Sequence, residues 1–422
     1  MGLGFFKKLF GGGDAGEPQP KQAVPKGTSS QYAKRRPHSC PSKHRPKPRP
    51  PGEQSLSRPY AYARRSPGGF FDGRVGELSD RLQRFGLPRF ATPEELAAWL
   101  KVPAKTLAWL CDYHGNNAAD KVLKKQHYHY TWMKKRNGWG YRLIESPKPM
   151  LKLLQTRVLE EILNCVPPHA AAHGFVKGRS ILTNAREHAG KYVVIKADLE
   201  HFYPSIKYKR VVAIFRGLGY CHEAAHWLAR LCTNRIPAGL SKPEGEKMMP
   251  WEFAMLGRHL PQGAPTSPAL ANLATWGLDV RLAGVARKFE VTYSRYADDL
   301  TFSGGEKLMK GKSLNMLMRY LRGIVRNEGY RWNSTKKKVV RRGSRQIVTG
   351  LTVNAKPNVP RAEFDRLKAI LTNCKRHGAA AQNRNQVPNF RAHLEGRIAF
   401  VKSVNPQKAE RLQRVFEQIK WS

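Results

Sequence analysis

The sequence predicts an α+β fold in which helices pack on an antiparallel sheet, followed by a helical C-terminal segment and preceded by a long basic arm. Three observations predict it. Val291-Thr-Tyr-Ser-Arg-Tyr-Ala-Asp-Asp-Leu-Thr-Phe-Ser303 reads as two short strands with Asp298 and Asp299 at the tip between them, because Val291, Tyr293, Leu300 and Phe302 are strand formers in rough alternation. Lys191-Tyr-Val-Val-Ile-Lys-Ala-Asp198 is a further strand, and it ends in an acid. Stretches of helical period lie between and after these strands and fill the chain from about Arg361 to Ile419.

Residues 1–75 hold 15 Lys/Arg against 4 Asp/Glu and repeated prolines, as in Arg45-Pro-Lys-Pro-Arg-Pro-Pro51. Such a segment buries too little apolar surface to offset its ordering entropy, so a disordered basic arm is expected. The whole chain of 422 residues carries a net charge of +44, which points to a polyanion as partner. The aromatic content favours nucleic acid over a membrane surface. The six cysteines show no Cys-x-x-Cys spacing, which argues against a zinc site or a disulfide frame and for reduced thiols in the cytoplasm. No apolar run approaches a membrane span, and the short basic-apolar start Met1–Phe10 is expected to be flexible.

Order is expected from Leu78. Thr92-Pro-Glu-Glu95 reads as a helix start with proline at the first helical position and acids in the first turn. A second short helix is expected from Lys105 to Tyr113. His127–Lys134 and Tyr141–Glu145 form a hairpin across an Asn137-Gly138 turn, with Lys134, Lys135, Arg136 and Arg142 projecting from it. Met150, Leu153, Leu154, Val158, Ile162 and Leu163 give the next helix its apolar face. His173-Gly-Phe-Val-Lys-Gly-Arg-Ser180 combines two glycines with two cations and suits a phosphate or a template backbone. Asn184 and His188, four apart, share one helix face just before the Asp198 strand.

Two adjacent carboxylates at a tight turn repel one another, and a third, Asp198, ends a strand in a matching context about a hundred residues upstream. A hard divalent cation is the natural counter-charge, since Mg²⁺ takes carboxylate oxygens together with substrate phosphates. A pair of metals needs shared carboxylates from separate chain segments, and Asp198, Asp298 and Asp299 supply that minimum. In Leu260-Pro-Gln-Gly-Ala-Pro-Thr-Ser-Pro-Ala-Leu-Ala-Asn272, the pair Gln262-Gly263 places an amide beside a backbone able to approach a base pair closely. The helix Lys307–Glu328 follows, then Gly329-Tyr-Arg-Trp-Asn-Ser-Thr-Lys336 and Gln346-Ile-Val-Thr-Gly-Leu-Thr-Val353, a strand pair around Gly350. The loop from Ile236 to Arg258 carries no assignment.

Asp198-x-x-x-Phe202-Tyr203 together with Tyr296-Ala-Asp-Asp299 resembles the palm of a reverse transcriptase, and the order Asp198, Gln262-Gly263, Asp298-Asp299, Lys336 extends the resemblance over residues 90–420. Asn184-Ala-x-x-His188 and Val348-Thr-Gly350 look like the pair associated with retron reverse transcriptases, and the long basic arm resembles the extended start of some myxobacterial types. The resemblance implies a right-hand polymerase fold with fingers, palm and helical thumb. Its parts would be the arm (1–75), an N-terminal helical region (76–125), fingers and palm (126–355) and thumb (356–422). It implies Asp198, Asp298 and Asp299 as catalytic ligands of two Mg²⁺, with the Leu199 carbonyl as a further ligand. Arg142, and Lys135 or Arg136, would meet the incoming triphosphate. Tyr203 would act as a steric gate against ribonucleotides, Gln262 and Gly263 would hold the template, and Lys336 would sit near the triphosphate. Asn184, His188, Val348, Thr349 and Gly350 would serve RNA recognition or priming. The expected partners are a structured non-coding RNA, its RNA–DNA product, deoxynucleoside triphosphates and an effector protein of antiphage defence, with no membrane. The expected reaction is DNA synthesis from a 2′-OH of that RNA, giving branched multicopy single-stranded DNA (msDNA). The rival readings are a reverse transcriptase of the group II intron or diversity-generating kind, and a basic RNA-binding protein with an inactive polymerase fold.

Overall fold

The computed structural model describes residues 79–112, 126–135, 140–237, 239–243 and 249–421. The basic arm, Tyr113, the Asn137-Gly138 turn, Arg136 and Cys40 lie outside the described residues.

Among the described residues nine strands form three sheets. β1 (Tyr128–Lys134) and β2 (Tyr141–Pro147) make a two-stranded antiparallel hairpin in which Met133 faces Arg142 and Lys134 faces Tyr141. The central sheet is built on β3 (Val193–Glu200). Along one edge of β3 runs β5 (Asp299–Gly304), itself paired with β4 (Thr292–Tyr296). Along the other edge β6 (Arg331–Trp332) meets the C-terminal end of β3, and β7 (Lys338–Arg341) meets its N-terminal half. All these pairings are antiparallel, as the alternation in the sequence implied. β8 (Ile347–Val348) and β9 (Leu351–Thr352) form a small hairpin.

Strand parity explains how β3 carries an acid at its end. Val193, Ile195, Ala197 and Leu199 point into the main core, which also holds Leu270, Leu278, Phe302 and Leu321. Val194 points the other way, into a second small core with Ala185, Val348, Leu351 and Val353. Asp198 shares the parity of Val194, so it leaves the main core and turns towards the side on which this second core ends. The main core is closed by the helices Tyr208–Leu218, His222–Cys232, Ser267–Ala274, Trp276–Lys288 and Ser313–Asn327.

The helix at Pro93–Leu100 starts as its sequence implies. Thr92 Oγ1 accepts from Glu95 N at 3.2 Å, and Glu95 returns a bond from Ala91 N at 2.7 Å. The second short helix is Ala104–Leu110. The helix Pro149–Glu161 departs from the expected face. It buries Leu151, Leu154, Gln155 and Val158, while Met150 and Leu153 are exposed. The stripe i, i+3, i+4, i+7 therefore begins one residue later than the apolar pattern suggested, and a buried Gln155, bonded to the Leu231 carbonyl at 2.8 Å, completes it. The unassigned loop packs behind the first hairpin: Trp132 Nε1 donates to the Ser241 carbonyl at 3.0 Å, and the buried Lys242 pairs with Glu252 at 2.8 Å.

Helices Arg361–His377, Phe390–Val404 and Pro406–Phe416 share a core of their own, with Leu367, Leu371, Leu394, Ile398 and Leu412 at its centre. None of the five described cysteines forms a disulfide. Among the described residues, no helix is long and apolar enough to cross a membrane.

Candidate active site

The three acids meet at one end of the central sheet. Asp198 and Asp299 are direct partners in the β3–β5 register. Leu199 N donates to the Asp298 carbonyl at 3.0 Å, so the strand is tied to the turn as well as to the strand beyond it. Tyr296 faces Asp299, which leaves Ala297 and Asp298 as a two-residue turn. Ala297 has φ 54, a conformation such turns ordinarily give to glycine. Strain of this kind persists only where the surroundings over-determine it.

The electrostatics follow from this geometry. Burial first, and then the charges of Asp198 and Asp299, push the Asp298 carboxyl up to about 6. Burial also raises Asp299, against the pull of Lys196. Asp198 is held by Lys336, whose Nζ lies 3.1 and 3.0 Å from its two oxygens, and by Asn333 Nδ2 at 3.2 Å. The donors are hard oxygens in a site that repels further anions, and one ammonium already sits on them, so they fit the chemistry of a divalent cation. Among the described residues no three His, Cys, Asp or Glu side chains stand as a ready-made metal cage.

These acids open onto a cleft of about 870 Å³. Leu199, Arg142, Tyr203, Gln262, Gly263 and Lys336 all line it, so the structure brings together most of the residues singled out in the sequence. Arg136 lies outside the described residues, whereas Lys135 lines the cleft. Burial and then the neighbouring Arg142 pull the Lys135 ammonium below its ordinary value, the mark of two cations facing one space. Tyr203 follows the strained His201 (φ 50), and burial, then the Asp298 charge, push its hydroxyl up to about 12. Phe202 beside it is buried in the main core.

Gly263 lines the cleft and also packs on the first hairpin. Its φ is +139, and a Cβ there would stand 2.7 Å from the Glu145 carbonyl oxygen. A close approach to the backbone of β2 thus requires glycine here, and Glu145 N returns a bond to the Gln262 carbonyl at 2.9 Å. The Glu145 side chain is buried and meets His259 Nε2 at 3.0 Å and Asn234 Nδ2 at 2.8 Å.

The remaining candidates stand apart from the cleft. His188 is fully buried, with Nδ1 on Ser303 Oγ at 2.7 Å and Nε2 on Ser294 Oγ at 2.6 Å. Asn184, also buried, accepts from Ser294 Oγ at 2.6 Å. Neither side chain is presented to a ligand; both fasten their helix (Ile181–Arg186 and the turn after it) to β4 and β5. Val348 is buried against Ala185 in the small core. Thr349 (φ 46) and Gly350 (φ 86) form the β8–β9 turn, and Thr349 Oγ1 donates to the Ile181 carbonyl at 2.9 Å. The two separate sequence motifs are thus one packed unit, with Gly350 exposed at its surface.

Two residues gain a place that the sequence reading did not single out, Phe175 within the His173–Ser180 segment and Arg295 within β4. Phe175 lines the cleft, is 60% exposed and has φ 59, an outlier for a bulky residue. Arg295 is fully buried one turn-length from the acids. Its parity with Tyr293 was the available signal: a cation on the core face of a strand needs a buried partner.

Residues 133–364 match the family model described as reverse transcriptase (RNA-dependent DNA polymerase). The retron Mx65 reverse transcriptase of Myxococcus xanthus is 41% identical over 79% of this chain and 73% of the relative. The retron Mx162 reverse transcriptase of the same organism is 35% identical over 79% of this chain and 68% of its own. The retron Ec86 reverse transcriptase of Escherichia coli is 30% identical over 79% and 90%. Strands that seat three acids at a cation-lined cleft agree with this kinship, and the chain belongs to the retron reverse transcriptases, a family of RNA-directed DNA polymerases.

Proposed function

We propose that this enzyme begins DNA synthesis at a 2′-OH of a structured non-coding RNA, copies part of that RNA and leaves a branched RNA–DNA product, msDNA, working in the cytoplasm with an effector protein in antiphage defence. The β1–β2 hairpin serves as fingers, the central sheet as palm and the last three helices as thumb. The observation that carries the catalytic part is the pairing of Asp198 with Asp299 across β3 and β5, with Asp298 tied to Leu199 beside them.

Asp198, Asp298 and Asp299, with the Leu199 carbonyl, would hold two Mg²⁺. When bound, the ions lower the pKa of the attacking hydroxyl and offset charge on the leaving pyrophosphate. The side chains do the rest by position and charge. Arg142 and Lys135 meet the triphosphate from the hairpin side. Lys336 exchanges Asp198 for a phosphate oxygen. Tyr203 stands under the sugar and excludes a ribose 2′-OH. Gln262 steadies the template strand, and Gly263 docks that loop on β2. The basic arm adds sequence-independent, salt-sensitive affinity for RNA.

The test is primer extension by the full chain with Mg²⁺ and deoxynucleotides, together with sequencing of the nucleic acid that co-purifies. A branched RNA–DNA species is the expected result. Incorporation without any branched species would overturn the priming reading. Absence of incorporation on every RNA template would overturn the catalytic one.

A further inference from the structure

Outside the carboxylates themselves, the most completely built polar cluster near the site is centred on Arg295. This side chain is 0% exposed, as is its partner Asp279 on the helix Trp276–Lys288. Arg295 Nε donates to Asp279 Oδ1 at 2.8 Å and Nη2 to Oδ2 at 2.7 Å, a bidentate pair. Tyr293 Oη gives Asp279 Oδ1 a further bond at 2.7 Å. The remaining arm of the guanidinium points at the acid turn: Nη1 donates to the Ala297 carbonyl at 3.1 Å and to Asn272 Oδ1 at 2.9 Å. Asn272, itself buried, passes the connection on, with Nδ2 donating to the Gly174 carbonyl at 2.9 Å.

The backbone repeats the same connection. Arg295 N donates to the Ala171 carbonyl and His173 N to the Arg295 carbonyl, both at 2.7 Å. Gly174 lies so close to the turn that a Cβ on it would stand 2.7 Å from Ala297 N. One guanidinium therefore fixes the carbonyl of the strained residue before Asp298 and, through one amide, the carbonyl of the residue before Phe175. Burying an ion pair in this way is weak evidence for stability, because desolvation consumes much of the attraction. Its geometric effect is not in question: it removes the freedom of two loops to move independently.

We infer that Arg295, with Asp279 and Asn272, is a positioning device that locks the Asp298 turn and the Gly174–Phe175 loop into one rigid body, so that the metal ligand and the nucleic-acid-facing loop keep a fixed spacing. This rests on the reading of Asp298 as a metal ligand. Arg295 touches no substrate; its effect reaches the chemistry through the Ala297 carbonyl. A lysine at 295 keeps the charge beside Asp279 but lacks the planar fork needed to reach Asp279, Asn272 and Ala297 together.

The experiment compares wild type, Arg295→Lys, Asn272→Ala and Asp298→Asn as full chains with their co-purified RNA. Each is checked for a cooperative melt, then measured for kcat and KM of deoxynucleotide incorporation and for Mn²⁺ binding by electron paramagnetic resonance. Arg295→Lys is expected to lower kcat at least tenfold, to leave KM for the nucleotide within about threefold, and to weaken Mn²⁺ binding at least threefold. Asn272→Ala, which spares the ion pair, gives the same pattern at smaller amplitude and serves as the deciding variant if Arg295→Lys does not fold. Wild-type kcat and Mn²⁺ affinity in the folded variants overturn the inference while Asp298→Asn remains inactive. Synthesis by Asp298→Asn overturns instead the reading on which it rests.

Discussion

Gly174→Ala isolates the contact between the loop and the acid turn. A Cβ at this position would meet Ala297 N at 2.7 Å, and Tyr296 C and Cδ1 at 3.2 Å each. Two of these atoms are backbone and cannot swing aside. Ordinary contact begins near 3.4 Å, so the loop or the turn must retreat by about 0.7 Å. Gly174 is not among the positive-φ glycines, so alanine suits the local backbone and the whole effect is crowding. Overpacking of this kind costs about 1–3 kcal/mol of stability. Its effect on the reaction is larger in proportion, since a misplacement of about 1 Å can slow an enzyme ~100-fold. The expected loss in single-turnover incorporation is therefore between about tenfold and 100-fold.

Gly86→Ala is the matching control. Gly86 has φ +61 with open space around it, beyond the helix Ser79–Arg84. Alanine there carries the left-handed penalty of about 1–2 kcal/mol with no displacement of the site. Both variants should lose a few degrees of melting temperature, but only Gly174→Ala should lose rate. Equal rates for the two at matched stability would refute the claim that the spacing of loop and turn governs the chemistry.

Outcomes at three further positions are expected. Asp298→Asn abolishes synthesis and leaves RNA affinity within about threefold, because one ligand oxygen is lost from a chain of net charge +44; filter binding beside primer extension checks this. The folded Asp298 carboxyl titrates near 6 against an ordinary 3.8, so its native form binds more protons and metal-free stability falls as pH rises between those values. The same Asn variant should therefore melt higher than wild type at pH 7 without metal, by the order of 2–3 kcal/mol, and the gain should vanish near pH 4. Tyr203→Val should raise ribonucleotide incorporation relative to deoxynucleotide at least tenfold, and unchanged discrimination would remove Tyr203 from the sugar. His188→Leu leaves the Ser294 and Ser303 hydroxyls short of a partner and should cost about 2–4 kcal/mol while RNA affinity of the folded protein holds. Burial lowers the folded His188 to about 3, so its contribution is present above the ordinary 6.5 and is lost as pH falls below it. The variant's stability should accordingly fall less steeply than wild type between pH 6.5 and 4, as thermal melts across that range would record.

The parts of this site that were legible in the sequence are those encoded by neighbours. Asp298 and Asp299 announce a turn because strand formers alternate on both sides, and Asp198 announces a strand end for the same reason. Thr92-Pro-Glu-Glu95 announces a helix because capping is settled within four residues. What could not be read depends on residues far apart in the chain. Gly263 packs on the Glu145 backbone, and the buried Glu145 carboxyl takes its hydrogen bonds from His259 and Asn234. Asn184 lies on a helix that ends at Arg186 and His188 in the turn after it, so they do not share the helix face that their spacing implied, and the sequence does not say that both look inward onto Ser294 and Ser303. Met150 and Leu153 show the opposite error: apolar residues at helical spacing are exposed because Gln155 takes part of the buried stripe.

The acid turn is where these two kinds of information meet. Repulsion among Asp198, Asp298 and Asp299 would push the tip of the β4–β5 hairpin away from β3, and it adds to the burial that raises the Asp298 carboxyl. Local sequence supplies the charges, and long-range contacts supply the restraint. Leu199 N holds the Asp298 carbonyl, Arg295 Nη1 holds the Ala297 carbonyl, and Gly174 packs against Ala297 N. None of these restraints uses a carboxylate oxygen, so the carboxylates remain available to cations. Lys336 occupies the oxygens of Asp198 with a side chain that is 53% exposed, a weak and replaceable hold. A site built in this way holds its acids together through backbone contacts, and a bound cation would have a surface-exposed ammonium to displace from Asp198.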